Sequence, residues 1–166
     1  MRHVLVMGIC GTGKSSVASR LADRTGRVFV EADQYHSADA IARMARGEAL
    51  TDRDRWDWLD RVADAALATG APTVVACSAL KEVYRQRLTD RLGAMDVVHL
   101  SGERAIVTER MSARSGHYMP VSLIDSQLAD LQPPAGADTL TLDIDQPLEA
   151  IVAEAEAFVN RARFRA

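Results

Sequence analysis

The sequence predicts a single α/β domain, spanning residues 1–166 and built on a five-stranded parallel sheet with helices on both faces. Its 166 residues are the length of one domain, and no linker or low-complexity tract divides them. Short apolar runs alternate with longer helical segments, the order that crossovers between parallel strands produce. The apolar runs show little alternation, which indicates strands covered on both faces. The predicted strands are residues 4–7, 28–30, 73–76, 96–100 and 139–144.

The segments between and after the strands predict six helices, whose ends carry helix signals. Gly26 and Gly93 follow two of these segments, at positions where glycine ends helices. Thr51 and Asp54 have the spacing of a capping box, with Asp in place of Glu. Pro147 directly precedes the last segment. The predicted helices are residues 15–25, 51–69, 81–92, 103–113, 121–131 and 148–163.

Composition excludes several classes of protein. With 23 acidic and 20 basic residues the formal net charge is -3, so the chain has no bulk attraction to nucleic acid or to an anionic membrane. Cys10 and Cys77 are too few for a secreted disulfide scaffold and are not clustered with His as metal ligands. No stretch approaches the ~20 apolar residues that cross a bilayer, and the N-terminal run is too short for a signal peptide. We therefore expect a cytoplasmic protein without a nucleic-acid or membrane partner.

A glycine-rich motif lies between the first predicted strand and the first predicted helix. It reads Gly8-Ile9-Cys10-Gly11-Thr12-Gly13-Lys14-Ser15 and matches G-x-x-x-x-G-K-[ST]. In this context, the loop N–H groups and the positive end of the helix bind phosphate, while glycine permits close approach. Lys14 is expected to reach the β- and γ-phosphates, and the Ser15 hydroxyl to bind Mg²⁺. The sequence thus predicts a nucleoside triphosphate site at 8–15.

The use of the triphosphate is indicated by the ends of the next two predicted strands. The third strand leads into Cys77-Ser78-Ala79-Leu80-Lys81 and not into the Asp-x-x-Gly of a switch GTPase, and no Asn-Lys-x-Asp follows. The chain length instead fits the small-molecule kinases. Asp33 follows the second strand, and ligands of open parallel sheets bind beyond the carboxyl ends of strands. A carboxylate there orients an attacking hydroxyl and accepts its proton.

Five further segments combine with the phosphate loop into a recognisable pattern. They are Asp33-x-x-His36, Met44-x-x-Gly47-x-x-Leu50-x-Asp52-x-Asp54-Arg55, Cys77-Ser78-Ala79-Leu80-Lys81-Glu82-Val83-Tyr84-Arg85, Arg110-x-x-x-Arg114-x-Gly116-His117-Tyr118-Met119 and Asp143-Ile144-Asp145-Gln146-Pro147-Leu148-Glu149. This pattern closely resembles the gluconokinases, ATP-dependent kinases that phosphorylate D-gluconate at its 6-hydroxyl. The resemblance runs nearly end to end.

The resemblance implies the nucleoside-monophosphate-kinase type of P-loop fold, with an acceptor-side segment at 31–59 and a mobile lid at about 110–120. It implies ATP and Mg²⁺ as cofactors and a guanidinium fork for the carboxylate of the sugar acid. The implied catalytic residues are Lys14, Asp33, Arg110 and Arg114. The implied ATP-binding residues are Gly8, Gly11, Thr12, Gly13, Lys14, Ser15, Ser16, Arg110 and Pro147. The implied substrate-binding residues are Asp33, His36, Arg55, Lys81, Arg85 and Gln127.

The implied lid depends on an arginine pair. Arg110 and Arg114 lie four residues apart and therefore share one helix face. Closing such a face over the phosphates would exclude water and stabilise the transferring charge. The alternative is a salt-bridged surface helix with partners such as Glu109. By similarity to related small kinases, adenine lies between Arg110 and the loop near Pro147, and the resemblance suggests a homodimer.

Five acceptor-side positions depart from the family pattern, and none lies in the phosphate loop. Where the family usually has Pro, Asn, Lys, Pro and Asp, this chain has Ser37, Ala40, Arg43, Asp57 and Glu31. The change to Ala40 removes a donor and an acceptor for a substrate hydroxyl, and Glu31 shifts its charge outward from the backbone. The exact sugar acid therefore stays open, with a shikimate-like acid or a nucleotide as the alternative acceptor.

Two other expectations complete the sequence-based interpretation. A non-catalytic ATP-binding regulator is the alternative class, but such a protein needs neither a strand-end acid nor a lid-like arginine pair.

Trp56 and Trp58 are two residues apart on a predicted helix and cannot share one face. We expect one of them in the core and the other partly exposed near the acceptor pocket.

Overall fold

Five strands form one parallel sheet in the computed structural model, which describes residues 1–113, 121–162 and 164. The strands are β1 (Val4–Met7), β2 (Val28–Glu31), β3 (Thr73–Ala76), β4 (Asp96–Ser101) and β5 (Thr139–Asp143). Their order across the sheet is β2-β3-β1-β4-β5, and every neighbouring pair is parallel. This order confirms the predicted sheet and places the carboxyl ends of β1, β2 and β3 side by side.

Helices connect the strands and cover both faces of the sheet. They are α1 (Lys14–Thr25), α2 (Ala38–Ala45), α3 (Asp52–Ala68), α4 (Glu82–Leu92), α5 (Arg104–Ala113), α6 (Val121–Asp130) and α7 (Leu148–Ala162). The six predicted helices are confirmed with small shifts at their ends. The helix α2 is not among the predicted helices, and Ala40 is the one residue that this short surface helix buries.

The two sides of the sheet carry separate cores, because successive strand residues point to opposite faces. Val4 and Val6 of β1 pack with α1, α5 and α7 on one face. Leu5 and Met7 of the same strand pack with α3 and α4 on the other. Burial of every residue in β1 and β3 agrees with the expectation of covered strands. The expectation does not hold for β2 and β5, since edge strands are only partly covered.

The start of α3 is fixed by the predicted capping box. The Thr51 hydroxyl accepts a hydrogen bond from the Asp54 N–H, and the Asp54 carboxylate accepts one from the Thr51 N–H. Arg43 of α2 donates two bonds to the same carboxylate, at 2.9 and 2.7 Å, which ties α2 to the start of α3. The Arg43 guanidinium keeps the pKa of Asp54 well below its ordinary value. Within the described ranges, no helix has the length and apolar character of a membrane span.

Candidate active site

The phosphate loop leaves β1 through a tight turn that requires glycine at two positions. Gly8 has a φ of +152°, and a Cβ there would lie 2.6 Å from the Leu100 carbonyl oxygen. Gly11 has a φ of +79°, and its Cβ would lie 2.9 Å from Cγ of Met111. The buried Thr12 hydroxyl donates to the Ile9 carbonyl at 2.8 Å and closes the loop from within. The loop is therefore held in shape by backbone and side chain together.

Lys14 lies at the start of α1 and is enclosed by the loop that precedes it. Its ammonium Nζ donates to the Ile9 carbonyl at 2.9 Å. Desolvation lowers the pKa of Lys14, while the negative charges of Asp33 and Glu31 act in the opposite direction. Glu31 is the last residue of β2, and Asp33 follows that strand. Both carboxylates are thus close enough to Lys14 for their charges to act on its ammonium.

A short 3₁₀ turn, Ala32–Tyr35, presents Asp33 beside the phosphate loop. Glu31 caps this turn, because its Oε1 accepts a hydrogen bond from the Asp33 N–H at 3.4 Å. The other oxygen of the Glu31 carboxylate accepts a hydrogen bond from the Ser15 hydroxyl. The Asp33 side chain itself is 79% exposed. The turn therefore leaves the Asp33 carboxylate accessible to a ligand, and Glu31 joins the turn to α1.

One cavity brings the phosphate loop and the acceptor-side residues together. Its polar wall contains Lys14, Ser15, Asp33, Arg55, Ser78 and Gln127. Its other lining residues are Cys10, Gly11, Gly13, His36, Met44, Leu50, Trp58 and Met111. Six of the sequence-predicted site residues outside the glycines, namely Lys14, Ser15, Asp33, His36, Arg55 and Gln127, thus share a single cavity.

His36 forms part of the cavity wall through an aromatic stack. Its ring lies 4.2 Å from the Trp58 ring, at an interplanar angle of 15°. Desolvation lowers the pKa of His36, and its Nε2 is 3.8 Å from Oδ1 of Asp33. The Trp58 indole donates to the Ala32 carbonyl at 2.7 Å, which fixes the stack to the 3₁₀ turn. We infer a neutral imidazole here at pH 7.

The two tryptophans differ from the sequence-based expectation in which of them reaches the cavity. Trp58 is 2% exposed and lines the cavity. Trp56 is partly exposed and packs edge-on against Tyr84, with ring centroids 5.5 Å apart. The core residue is therefore the one at the pocket, because the pocket floor is formed by the packed side of α3.

The three predicted cations of the acceptor side occupy different environments. Arg55 lines the cavity and donates to the Tyr84 hydroxyl at 3.0 Å. Lys81 forms an ion pair with Asp52 at 3.3 Å and is not among the described lining residues. Arg85 donates to the carbonyl oxygens of residues 79, 80 and 132, at 2.8 to 3.0 Å. Of the three, the structure places Arg55 alone at the cavity.

The role of Arg85 in the structure is to support the loop after β3. Ala79 in that loop has a φ of +40°, an unusual value for a residue with a side chain. Its carbonyl oxygen is one of the acceptors of Arg85, and Ser78 beside it lines the cavity. Arg85 therefore holds the strained turn that presents Ser78, a contribution that motif matching does not distinguish from substrate contact.

The remaining predicted residues lie around this centre. Gln127 Oε1 accepts from the Cys10 N–H at 2.7 Å, which links α6 to the phosphate loop. Arg110 donates to the Ile144 carbonyl at 2.7 Å and so contacts the end of β5 near Pro147. Ser16 is exposed in the first turn of α1. Arg114 and the rest of the predicted lid, residues 114–120, lie outside the described residues.

Sequence reasoning did not assign several residues of the cavity and its surroundings. Met44, Leu50 and Met111 form its apolar wall, and Tyr84 anchors Arg55. Met44, Leu50 and Tyr84 stand inside the segments that carry the family resemblance. The sequence pattern therefore included these residues but did not indicate what they do. Met111 is found only through the structure, because α5 folds back over Gly11.

Comparisons with known proteins identify the family to which this fold and sequence belong. Residues 4–134 match a family model described as an AAA domain. The thermoresistant gluconokinase of Escherichia coli (strain K12) is 36% identical over 167 residues, covering 97% of this chain and 95% of that protein. The structure of a gluconokinase from Sinorhizobium meliloti 1021 has a TM-score of 0.89 at 42% identity, covering 97% and 93% of the two chains. An unliganded sugar kinase from Janibacter sp. HTCC2649 has the same TM-score at 43% identity, covering 96% and 95%. With the phosphate loop, the strand-end acid and these matches, the chain belongs to the gluconokinase family.

Proposed function

We propose that this chain transfers the γ-phosphate of ATP to the 6-hydroxyl of D-gluconate and forms 6-phospho-D-gluconate and ADP. The observation that carries the proposal is the single cavity lined by Lys14, Asp33 and Arg55. A kinase needs a phosphate site and an acceptor site in one enclosure, because the donor phosphorus and the acceptor oxygen must meet in line. The gluconokinases among its relatives support gluconate as the acceptor.

The phosphate loop supplies the positive environment for the triphosphate. Its N–H groups and the N-terminus of α1 bind the phosphate oxygens, and Lys14 adds a full charge beside them. Binding of the triphosphate would draw the Lys14 ammonium from the Ile9 carbonyl to phosphate oxygens. A compact ammonium suits this enclosed position better than a planar guanidinium does.

Asp33 is the group that receives the proton of the acceptor hydroxyl. Its carboxylate is accessible and lines the cavity, so a hydroxyl that enters the cavity can donate to it. Phosphoryl transfer has a loose transition state, and the carboxylate acts mainly by orienting the attacking oxygen. The proton passes to Asp33 as the oxygen bonds to phosphorus and ADP departs.

Magnesium fits the oxygen atoms beside the phosphate loop. Among the described residues, no group of three or more His, Cys, Asp or Glu side chains is arranged to hold a metal ion. Mg²⁺ commonly keeps water and phosphate oxygens as most of its ligands, so one or two protein oxygens suffice. The Ser15 hydroxyl would bind the ion and Glu31, its hydrogen-bond partner, would orient that hydroxyl. Mg²⁺, when bound, offsets the negative charge of the phosphates.

The proposal is tested by ADP release with a panel of hydroxy acids that includes D-gluconate and shikimate. We expect Mg²⁺- and ATP-dependent turnover with gluconate. In Asp33→Asn, kcat should fall by about 10²- to 10⁴-fold with little change in the KM for ATP. Asp64→Asn, which removes an exposed carboxylate of α3 paired with Arg91, should behave as wild type. Turnover with shikimate alone would favour the alternative acceptor, and the absence of turnover with every acceptor would favour the regulator.

Two further properties remain expectations of the family resemblance. We expect the reaction to occur in the cytoplasm, where ATP is abundant. We also expect a homodimer, which light scattering coupled to size-exclusion chromatography would detect. A mass equal to that of one 18.1 kDa chain would contradict the dimer.

A further inference from the structure

The Arg55 guanidinium is anchored through one of its three nitrogens. Its Nη1 donates to the Tyr84 hydroxyl oxygen at 3.0 Å and to Oδ2 of Asp130 at 3.4 Å. Within the described part of the chain, Nε and Nη2 have no hydrogen-bond partner. The side chain is 14% exposed and lines the cavity. The edge of the guanidinium formed by Nε and Nη2 is therefore the part that a ligand can use.

That edge has the geometry that a carboxylate requires. A guanidinium carries five N–H groups in a rigid plane, and two parallel N–H groups along one edge match the two oxygens of a carboxylate. With Nη1 occupied, the Nε–Nη2 edge still offers such a pair. An anchored guanidinium also loses less conformational entropy on binding than a mobile one, which favours affinity.

Tyr84 is built into the fold as a rigid anchor. It is 2% exposed, and its ring packs edge-on against Trp56. Its hydroxyl donates its one proton to Oδ1 of Asp52, which leaves the oxygen as an acceptor for Arg55. The Arg55 guanidinium also lies 5.3 Å from the centre of the ring, within the range of a cation–π contact.

Asp52 is itself held in place, because it accepts a second hydrogen bond besides the one from the Tyr84 hydroxyl. Lys81 donates to the same Oδ1 at 3.3 Å, and its ammonium lies 5.6 Å from the centre of the Tyr84 ring. The two bonds from Tyr84 and Lys81 lower the pKa of Asp52, so it remains an ionised acceptor at neutral pH. The proton of the Tyr84 hydroxyl is therefore held away from Arg55.

We propose that Tyr84 is a positioning residue for acceptor specificity: its hydroxyl holds Nη1 of Arg55 and leaves the Nε–Nη2 edge for the carboxylate of an anionic acceptor. The inference rests on the proposed function, since it takes a sugar acid as the acceptor. It assigns to Tyr84 a role that acts through Arg55 and not on the reacting atoms. Asp130 supports the same nitrogen from α6.

The test is the kinetics of Tyr84→Phe, which keeps the ring and removes only the hydroxyl. We expect the KM for gluconate to rise about tenfold or more, as for a lost hydrogen bond to a charged group. The KM for ATP and kcat should stay within about twofold of wild type, because Lys14 and Asp33 are untouched. Thr25→Val, which removes a buried hydroxyl at the far end of α1, should leave all three constants unchanged.

A neutral competitor separates positioning of the guanidinium from a general change of the pocket. D-Glucitol has the hydroxyl chain of gluconate without its carboxylate, so its inhibition constant should be equal in wild type and Tyr84→Phe. An increase of that constant as large as the increase in the gluconate KM would overturn the inference. So would a gluconate KM within twofold of wild type.

One further variant keeps the inference testable if Tyr84→Phe does not fold, and a double variant adds a check if it does fold. Asp130→Asn changes a side chain 29% exposed and should raise the gluconate KM in the same selective way, by a smaller factor. In Arg55→Lys, which lacks the guanidinium fork, adding Tyr84→Phe should not raise the gluconate KM any further. Fully additive effects of the two changes on this KM would contradict the inference. Absence of gluconate turnover in wild type would instead refute the proposed function, so the two failures are distinguishable.

Discussion

The Ser15 hydroxyl donates a hydrogen bond to the Glu31 carboxylate and thereby joins the first turn of α1 to the end of β2. Glu31 also accepts from the N–H of Asp33. One carboxylate thus connects the residue expected to bind Mg²⁺ with the turn that presents the acceptor-side acid.

Glu31 is expected to control the Mg²⁺ requirement. In Glu31→Gln, the Mg²⁺ concentration for half-maximal rate should rise about tenfold, as for the loss of other groups that orient a metal ligand. The measurement is the initial rate of ADP release against Mg²⁺ concentration at fixed ATP. Glu156→Gln, on the surface of α7, is the matched control. Superimposable Mg²⁺ curves for wild type and Glu31→Gln would contradict this role.

Gly8 is expected to be irreplaceable for steric reasons. Gly8→Ala would place a Cβ 2.6 Å from the Leu100 carbonyl oxygen, a backbone atom that cannot move aside. The free energy of unfolding should fall by at least about 3 kcal/mol. Gly70→Ala is the control, because Gly70 also has a positive φ, +66°, but open space around it. It should cost about 1 kcal/mol. Equal midpoints of urea unfolding for the two variants would rule out the clash.

Arg85 is expected to contribute to stability through the loop after β3. Arg85→Lys loses the planar fork that reaches three carbonyl oxygens and should lower the free energy of unfolding by about 2 kcal/mol. Lys81→Met removes a partly exposed ion pair and should cost less than about 1 kcal/mol. Denaturation in urea measures both. An unchanged stability together with a raised gluconate KM would mean that Arg85 instead contacts substrate.

Stability is expected to fall on acidification because three imidazoles are partly or fully removed from water in the folded chain. Desolvation lowers the pKa values of His3, His36 and His99 below the unfolded value of about 6.5. The unfolded chain therefore binds more protons in this window, so the stabilisation is complete above pH about 6.5 and is lost as pH falls through the folded pKa values.

His99 offers a direct test of this pH dependence. It is 3% exposed, and neither ring nitrogen has a partner among the described residues. His99→Leu should be at least as stable as wild type at pH 7.5 and should lose less stability between pH 7.5 and pH 5.5. Urea unfolding at several pH values measures this slope. An identical slope in the variant would exclude His99 as a contributor.

Features that depend on neighbouring residues along the chain were predictable. The phosphate loop, the Thr51–Asp54 capping box and the helix end at Gly26 are each formed by a few adjacent residues, so their spacing is sufficient evidence. The strands and their alternation with helices were predictable for the same reason. The surface helix α2 was not predicted, since it is only eight residues long and Ala40 is the one residue that it buries.

Local backbone preference and apolar spacing specify the parallel α/β fold, the phosphate loop and the acid after the second strand, so these features follow from the order of residues alone. Which acceptor-side cation reaches the cavity depends instead on how distant segments pack together. Arg55 and Arg85 cannot be told apart within the sequence motifs. In the structure, Arg55 donates to the Tyr84 hydroxyl, whereas Arg85 donates to three carbonyl oxygens. A guanidinium takes its role from the acceptors within hydrogen-bond reach, and distant parts of the chain supply those acceptors.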